Sequence, residues 1–169
     1  MTEDRLQRLW TPYRMAYVAG ERPADEHEPS GCPFCAMRKA SEHDLVVHRG
    51  ETVFAVLNLH PYNPGHLMVL PYRHVSELEA LSEEESRELL ATTTTAVRVL
   101  KQVSSPHAFN IGLNLGAAAG GSLSAHLHQH VVPRWGGDAN FITVLADTKV
   151  LPQLLEDTAD MLREAWASA

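Results

Sequence analysis

The chain has 169 residues, 44% hydrophobic and 21% charged, which fits one globular unit and excludes extensive disorder. No apolar run reaches the ~18–20 residues that cross a bilayer, and the charged residues 1–8 are unlike a secretory leader. A net charge of −7 opposes non-specific nucleic-acid binding, and two cysteines are too few for a secreted disulfide scaffold, so the expected setting is cytoplasmic.

Residues 1–20 predict a short helix, with Leu6, Leu9, Trp10, Tyr13 and Tyr17 at helical spacing and Pro12 as a kink. Residues 20–31 are rich in Pro, Gly and acids and read as a loop. The organisation is thus an N-terminal helix and linker over 1–31 and one domain over 32–169. Residues 45–48 and 52–57 are β-branched and aromatic around Gly50, a hairpin pattern. The turn His60-Pro61-Tyr62-Asn63-Pro64-Gly65 leads into an apolar strand over 66–72.

Ser82 and Glu85 form a capping box that starts a helix running to about residue 103, its expected inner stripe being Leu89, Leu90, Val97 and Leu100. The run Thr92–Thr95 is a poor helix former, so tertiary packing must support that turn. Strands are expected over 109–115 and 125–133, with a Gly/Ala loop between them. Pro152 suits the first turn of a last helix, with Leu154, Leu155, Met161, Leu162 and Trp166 inward. This order predicts an α+β fold: an antiparallel sheet of about five strands, one long helix and a C-terminal helix.

Ten histidines stand out, and three of them alternate in Gly120-Gly121-Ser122-Leu123-Ser124-Ala125-His126-Leu127-His128-Gln129-His130-Val131-Val132. On a strand, alternate side chains share a face, about 6.6–7 Å apart. Neutral imidazole is a competent nucleophile near neutral pH, and a second ring can donate to phosphate oxygens. Glycines before the row let backbone N–H groups approach an anion. The same alternation also suits a divalent metal ion.

This block resembles the His-φ-His-φ-His-φ-φ motif of the histidine triad (HIT) superfamily of nucleotidyl hydrolases and transferases, with Gln129 in a usually hydrophobic slot. Asn58 and the run Asn63-Pro64-Gly65-His66-Leu67-Met68-Val69-Leu70-Pro71 are similar to the superfamily's ribose-binding residue and Pro-Gly-His strand. More narrowly, Arg8–Met15, Phe109–Gly116 and Pro133–Phe141 resemble the actinobacterial diadenosine tetraphosphate (AP-4-A) phosphorylase branch.

The resemblance implies a HIT-like fold with His128 as the nucleophile that forms a nucleotidyl-histidine intermediate. It makes His130 and His66 the partners at the phosphate and leaving group. Asn58, Asn114, Gly121, Ser122 and His130 are the nucleotide contacts, and His126 backs the nucleophile. It implies a dinucleoside polyphosphate and inorganic phosphate as reactants, no catalytic metal, a homodimer, and no nucleic-acid or membrane partner. Hydrolysis of dinucleoside polyphosphates or nucleoside phosphoramidates uses the same residues. A zinc-containing nucleotide-binding adaptor is the rival from another class.

Cys32-x-x-Cys35 is half of a tetrahedral zinc site by spacing, with a redox dithiol or two free thiols as alternatives. Zinc-bearing members of the superfamily, and the related galactose-1-phosphate uridylyltransferases, imply His74 and His126 as the other ligands of a structural zinc. His27, His43, His48 and His107 are expected on the surface without a role; for His60 too no role is the expectation, the edge of the nucleotide pocket being the alternative. Arg134 is expected to cap the sheet and Trp135 to pack, the alternatives being a distal phosphate contact and base stacking. Tyr62 and Phe54 are expected in the core rather than against a base.

Overall fold

The computed structural model describes residues 31–39, 45–120, 123–138, 145 and 150–169. The expected N-terminal helix, most of the 20–31 loop, His27 and His43 lie outside the described residues. A short helix α1 (Pro33–Ala36) opens with proline at its first turn and buries Phe34. Strands β1 (Val46–Arg49), β2 (Val53–Leu57) and β3 (Leu67–Pro71) precede the long helix α2 (Glu83–Ser104). Strands β4 (Ala108–Leu113) and β5 (Gln129–Arg134) and helix α3 (Leu155–Trp166) follow. The five strands form one antiparallel sheet in the order β1-β2-β3-β5-β4.

Period-two patterning divides β2 and β3 between two faces. Val53, Ala55, Leu57, Leu67 and Val69, with Val131 of β5, pack under α2 and α3 against Leu89, Ala96, Val99, Leu100, Leu162 and Trp166. Phe54, Val56, Met68 and Leu70 face the other way and are covered by Cys32 and Phe34 of the α1 segment. Full burial of each such Leu or Phe contributes roughly 1.5–3 kcal/mol. One face is therefore sealed by long helices, and the opposite face carries the histidines.

Helix α2 begins with the expected capping box: Ser82 accepts from the Glu85 N–H, and Glu85 returns a bond to the Ser82 N–H. Glu85 is also paired to Arg73 at 2.6 Å, and Arg73 donates to the Ala80 carbonyl. That knot ties the segment after β3 to the start of α2. Leu90 is 67% exposed, contrary to the expected stripe, and its place inward is taken by Thr92, Thr93 and Ala96. Thr93 donates to the Leu89 carbonyl and accepts from Gln129 Nε2 at 3.0 Å, so the threonine turn is supported by β5.

Four further expectations are corrected. Strand β5 starts at Gln129, not residue 125, because Leu127 N–H donates to Val75 O at 2.6 Å instead of entering the ladder. Pro152 and the exposed Leu154 lie ahead of α3, whose first residue is Leu155. His48 is half-buried and stacks on Trp166 at 4.9 Å rather than standing free on the surface. Tyr62 is 47% exposed, whereas Phe54 is buried as expected and stacks on Tyr72.

Candidate active site

The turn before β3 sets the first site residue. Gly65 adopts φ +72, a left-handed conformation that favours glycine, and a Cβ there would lie 2.9 Å from the Leu100 side chain and push it aside. The turn closes with His66 N–H donating to Asn63 O at 3.1 Å, and Asn58 N–H to His66 O at 2.9 Å. His66 is fully buried. Its Nδ1 accepts from the Tyr62 N–H at 3.1 Å, with Asn58 Nδ2 at 3.4 Å. A backbone N–H only donates, so the neutral ring carries its proton on Nε2.

That Nε2–H faces His130 Nδ1 at 2.9 Å. His130 therefore accepts at Nδ1 and carries its own proton at Nε2. The Nε2 atom is buried and has no hydrogen-bond partner among the described residues. Burial first, then the facing His130 and His128 rings, push the His66 pKa down to about 3. Burial and the His128 ring take His130 down to about 4. Both rings are neutral at physiological pH.

His128 is buried, and its Nδ1 lies 2.7 Å from the His126 carbonyl oxygen. A carbonyl only accepts, so Nδ1 holds the proton and the Nε2 lone pair is free. Burial lowers the His128 pKa, opposed by this bond. The His128 and His130 rings meet edge-on, 4.9 Å between centroids. Phe34 packs on the His128 ring at 5.1 Å and on His126 at 5.5 Å. An apolar ring behind a neutral imidazole limits its rotation and excludes water.

The expected catalytic histidines His66, His128 and His130 thus come together, with Asn58 beside His66. Asn114 lines, with His130, a cleft of about 440 Å³ on the histidine-bearing face of the sheet. Gly121 and Ser122 lie outside the described residues. His60 is exposed and donates its N–H to Asn58 Oδ1 at 3.0 Å. His107 is exposed, as expected, and accepts from the Gly136 N–H. Trp135 Nε1 donates to Ser104 O, so its ring packs as expected.

Three contributors escaped the sequence reading. Tyr62 fixes the His66 tautomer through its N–H and lays its ring against His66 at 4.7 Å. Phe34 backs the His128 ring. Asn63 is buried and donates to Pro133 O and to Asp138 Oδ2, holding the carboxylate that pairs with Arg134. Tyr62 and Asn63 lie in a turn whose proline and glycine content signals bending but not which groups point inward.

The four residues expected at a metal also converge. The ligating atoms of Cys32, Cys35, His74 and His126 all lie within 4.8 Å of one another. Cys32 Sγ is 3.4 Å from His126 Nδ1, Cys35 Sγ is 3.6 Å from the same nitrogen, and Cys35 Sγ is 3.3 Å from His74 Nδ1. A tetrahedral ion with Zn–S near 2.3 Å and Zn–N near 2.0–2.1 Å sets such pairs about 3.5 Å apart, so the donor set fits. His126 Nε2 lies 2.9 Å from Pro71 O, a carbonyl that only accepts, which turns the Nδ1 lone pair toward the thiols. Burial and the adjoining Cys32 raise the Cys35 pKa, so a thiolate pair here calls for a cation.

Three comparisons bear on this geometry. The model of the HIT domain matches residues 39–137. AP-4-A phosphorylase of Mycobacterium tuberculosis is 60% identical over 169 residues, spanning 97% of this chain and 86% of that protein. Bis(5'-nucleosyl)-tetraphosphatase [asymmetrical] of Schizosaccharomyces pombe is 36% identical over 93 residues, 55% of this chain and 50% of that protein. Among solved structures, a Zn-bound histidine triad family protein from Mycobacterium smegmatis superposes with TM-score 0.68 at 25% identity, covering 83% of this chain and 96% of its own. With the family model matched and the buried histidine cluster on one sheet face, the chain belongs to the HIT domain family.

Proposed function

We propose that this enzyme splits diadenosine polyphosphates by phosphorolysis through a nucleotidyl-histidine intermediate on His128. The observation that carries the reading is the His128 ring, neutral, with its proton committed to the His126 carbonyl and its Nε2 lone pair free. The name of the 60% identical relative supports the choice of substrate.

His128 Nε2 attacks the α-phosphorus of diadenosine tetraphosphate. A P–N bond forms, the P–O bond to the departing half breaks, and ATP leaves with the electron pair on its terminal oxygen. Inorganic phosphate then attacks the adenylyl-histidine and carries away AMP as ADP. Two displacements replace one difficult step. His130 Nε2–H donates to the phosphoryl oxygens and the leaving oxygen, and His66 holds His130 in that tautomer. Asn58 contacts the ribose. Asn114, Gly121 and Ser122 contact the phosphates.

Zinc at Cys32, Cys35, His74 and His126 is structural in this reading, joining the α1 segment to the stretch that leads into β5. Residues 32–169 make the catalytic unit. The outer edge of β4 lies at the end of the sheet, with Ile111 47% exposed, and we assign it to a homodimer. Two free thiols beside histidines suit a reducing compartment and support a cytoplasmic setting.

The test uses α-labelled diadenosine tetraphosphate. A rapid quench is expected to show an acid-labile adenylyl adduct in the native protein and none in His128→Ala, with ADP formation dependent on added phosphate. AMP formed at the same rate without phosphate would assign the enzyme to hydrolysis instead. Absence of any adduct and of any turnover would leave the adaptor reading.

A further inference from the structure

The function proposed above accounts for the nucleotide half that stays on His128. It leaves the other half without a place. The cleft of about 440 Å³ beyond His130 is lined by Tyr62, Asn110, Gly112, Asn114, His130 and Arg134, among others. That volume lies in the range of small-molecule sites. On the cross-strand ladder Gly112 faces His130, Asn110 faces Val132 and Ala108 faces Arg134. Directly paired residues share a face, so β4 and β5 form a continuous floor from the triad to Arg134.

Arg134 is held in place before any ligand arrives. Its Nε and Nη2 donate to the two carboxylate oxygens of Asp138 at 2.6 and 3.0 Å, and Nη1 donates to Asn110 Oδ1 at 2.7 Å. Asp138 is fixed in turn by the buried Asn63 side chain and the Trp135 N–H. A guanidinium has five N–H donors, so two remain for a ligand after these three bonds. At the other end of the floor His130 Nε2–H is a buried donor without a partner among the described residues. Such an atom is costly unless a ligand meets it.

We infer that the β4–β5 cleft is the subsite for the departing nucleoside polyphosphate, with His130 at its first bridging oxygen and Arg134 at its far phosphates. The inference rests on the proposed function and adds the residue that selects long leaving groups. Arg134 stands four residues beyond His130, about 13 Å along the strand at ~3.3 Å per residue. One orthophosphate cannot span that distance, whereas a polyphosphate chain with its nucleoside does. The P–O electron pair stays on the departing oxygen, which leaves as a phosphate anion. His130 therefore needs only to donate a hydrogen bond, in keeping with a ring whose pKa lies near 4.

The test compares diadenosine tetraphosphate with the p-nitrophenyl ester of AMP, whose leaving group carries no phosphate. Two variants probe the subsite independently. Arg134→Gln removes the distal donor. Gly112→Leu narrows the floor at a position where a Cβ meets nothing within 4 Å and the backbone is not left-handed. Each is expected to lower the ratio of kcat/KM for the dinucleotide to that for the ester at least tenfold, with melting temperatures near the native value. An unchanged ratio in both variants overturns the subsite while leaving the nucleotidyl-histidine reading intact.

If the native protein turns over neither substrate, the functional reading fails and the subsite is judged by calorimetric titration. Weakened ATP binding with unaltered AMP binding in Arg134→Gln supports it. Equal weakening of both overturns it.

Discussion

At the scale of single residues, the site is governed by which ring nitrogen holds a proton. Three backbone groups decide this: Tyr62 N–H on His66, the His126 carbonyl on His128, and the Pro71 carbonyl on His126. Each is a fixed donor or acceptor, so each ring is left one tautomer. His66 has no exposure to solvent, and its pKa lies near 3 against an unperturbed value near 6.5. Below pH 6.5 the unfolded chain takes up a proton that the folded ring refuses. The contribution of His66 is therefore fully present above pH 6.5 and is lost as pH falls toward 3, at up to about 1.4 kcal/mol per pH unit. Urea midpoints between pH 7 and 5 are expected to fall with acidity, and His66→Asn is expected to make that slope shallower. Ring resonances of His66 that titrate near pH 6.5 would contradict the tautomer chain.

At the scale of elements, Thr93 and Gln129 join α2 to β5. Thr93 Oγ1 gives its proton to Leu89 O and accepts from the Gln129 amide. Thr93→Val keeps the shape but strands the half-buried Gln129 donor, and is expected to cost about 1 kcal/mol or more. Gln129→Leu leaves the threonine proton satisfied and is expected to cost less. The double variant should recover much of the Thr93→Val loss, as urea midpoints in a double-mutant cycle would show; additive losses would mean that the two do not interact.

The capping box, the hairpin around Gly50 and the succession of strands and helices along the chain were legible because each rests on local chemistry. The Thr93 bond was not, because its partner is 36 residues away. The start of β5 was misread for a related reason. Alternating His126, His128 and His130 look like one strand face, yet Leu127 N–H is spent on Val75 O and His126 Nε2 on Pro71 O. Four residues of apparent strand, 125–128, wrap the end of β3 instead of pairing. Periodicity shows which side chains share a direction, not which neighbour satisfies the backbone between them.

At the scale of the whole molecule, the proposed metal ligands come from three separated pieces of chain. Cys32 and His126 are 94 residues apart, and Cys35 and His74 are 39. An ion held there closes both intervals at once and fastens the α1 segment, the end of β3 and the approach to β5 together. Since His126 offers Nδ1 to the proposed ion and its carbonyl accepts the His128 proton, loss of a bound metal would disturb stability and the proposed nucleophile together. Protein purified without chelator is expected to contain one zinc per chain by mass spectrometry. Structural zinc sites bind with free energies of order 10 kcal/mol, and a protein of this size shifts its Tm by about 2–4 °C per kcal/mol. Stripping with a strong chelator is thus expected to lower Tm by about 20 °C or more and to abolish turnover in the same titration. A metal-free protein that melted and reacted as before would show the four side chains to be neighbours without a shared ion.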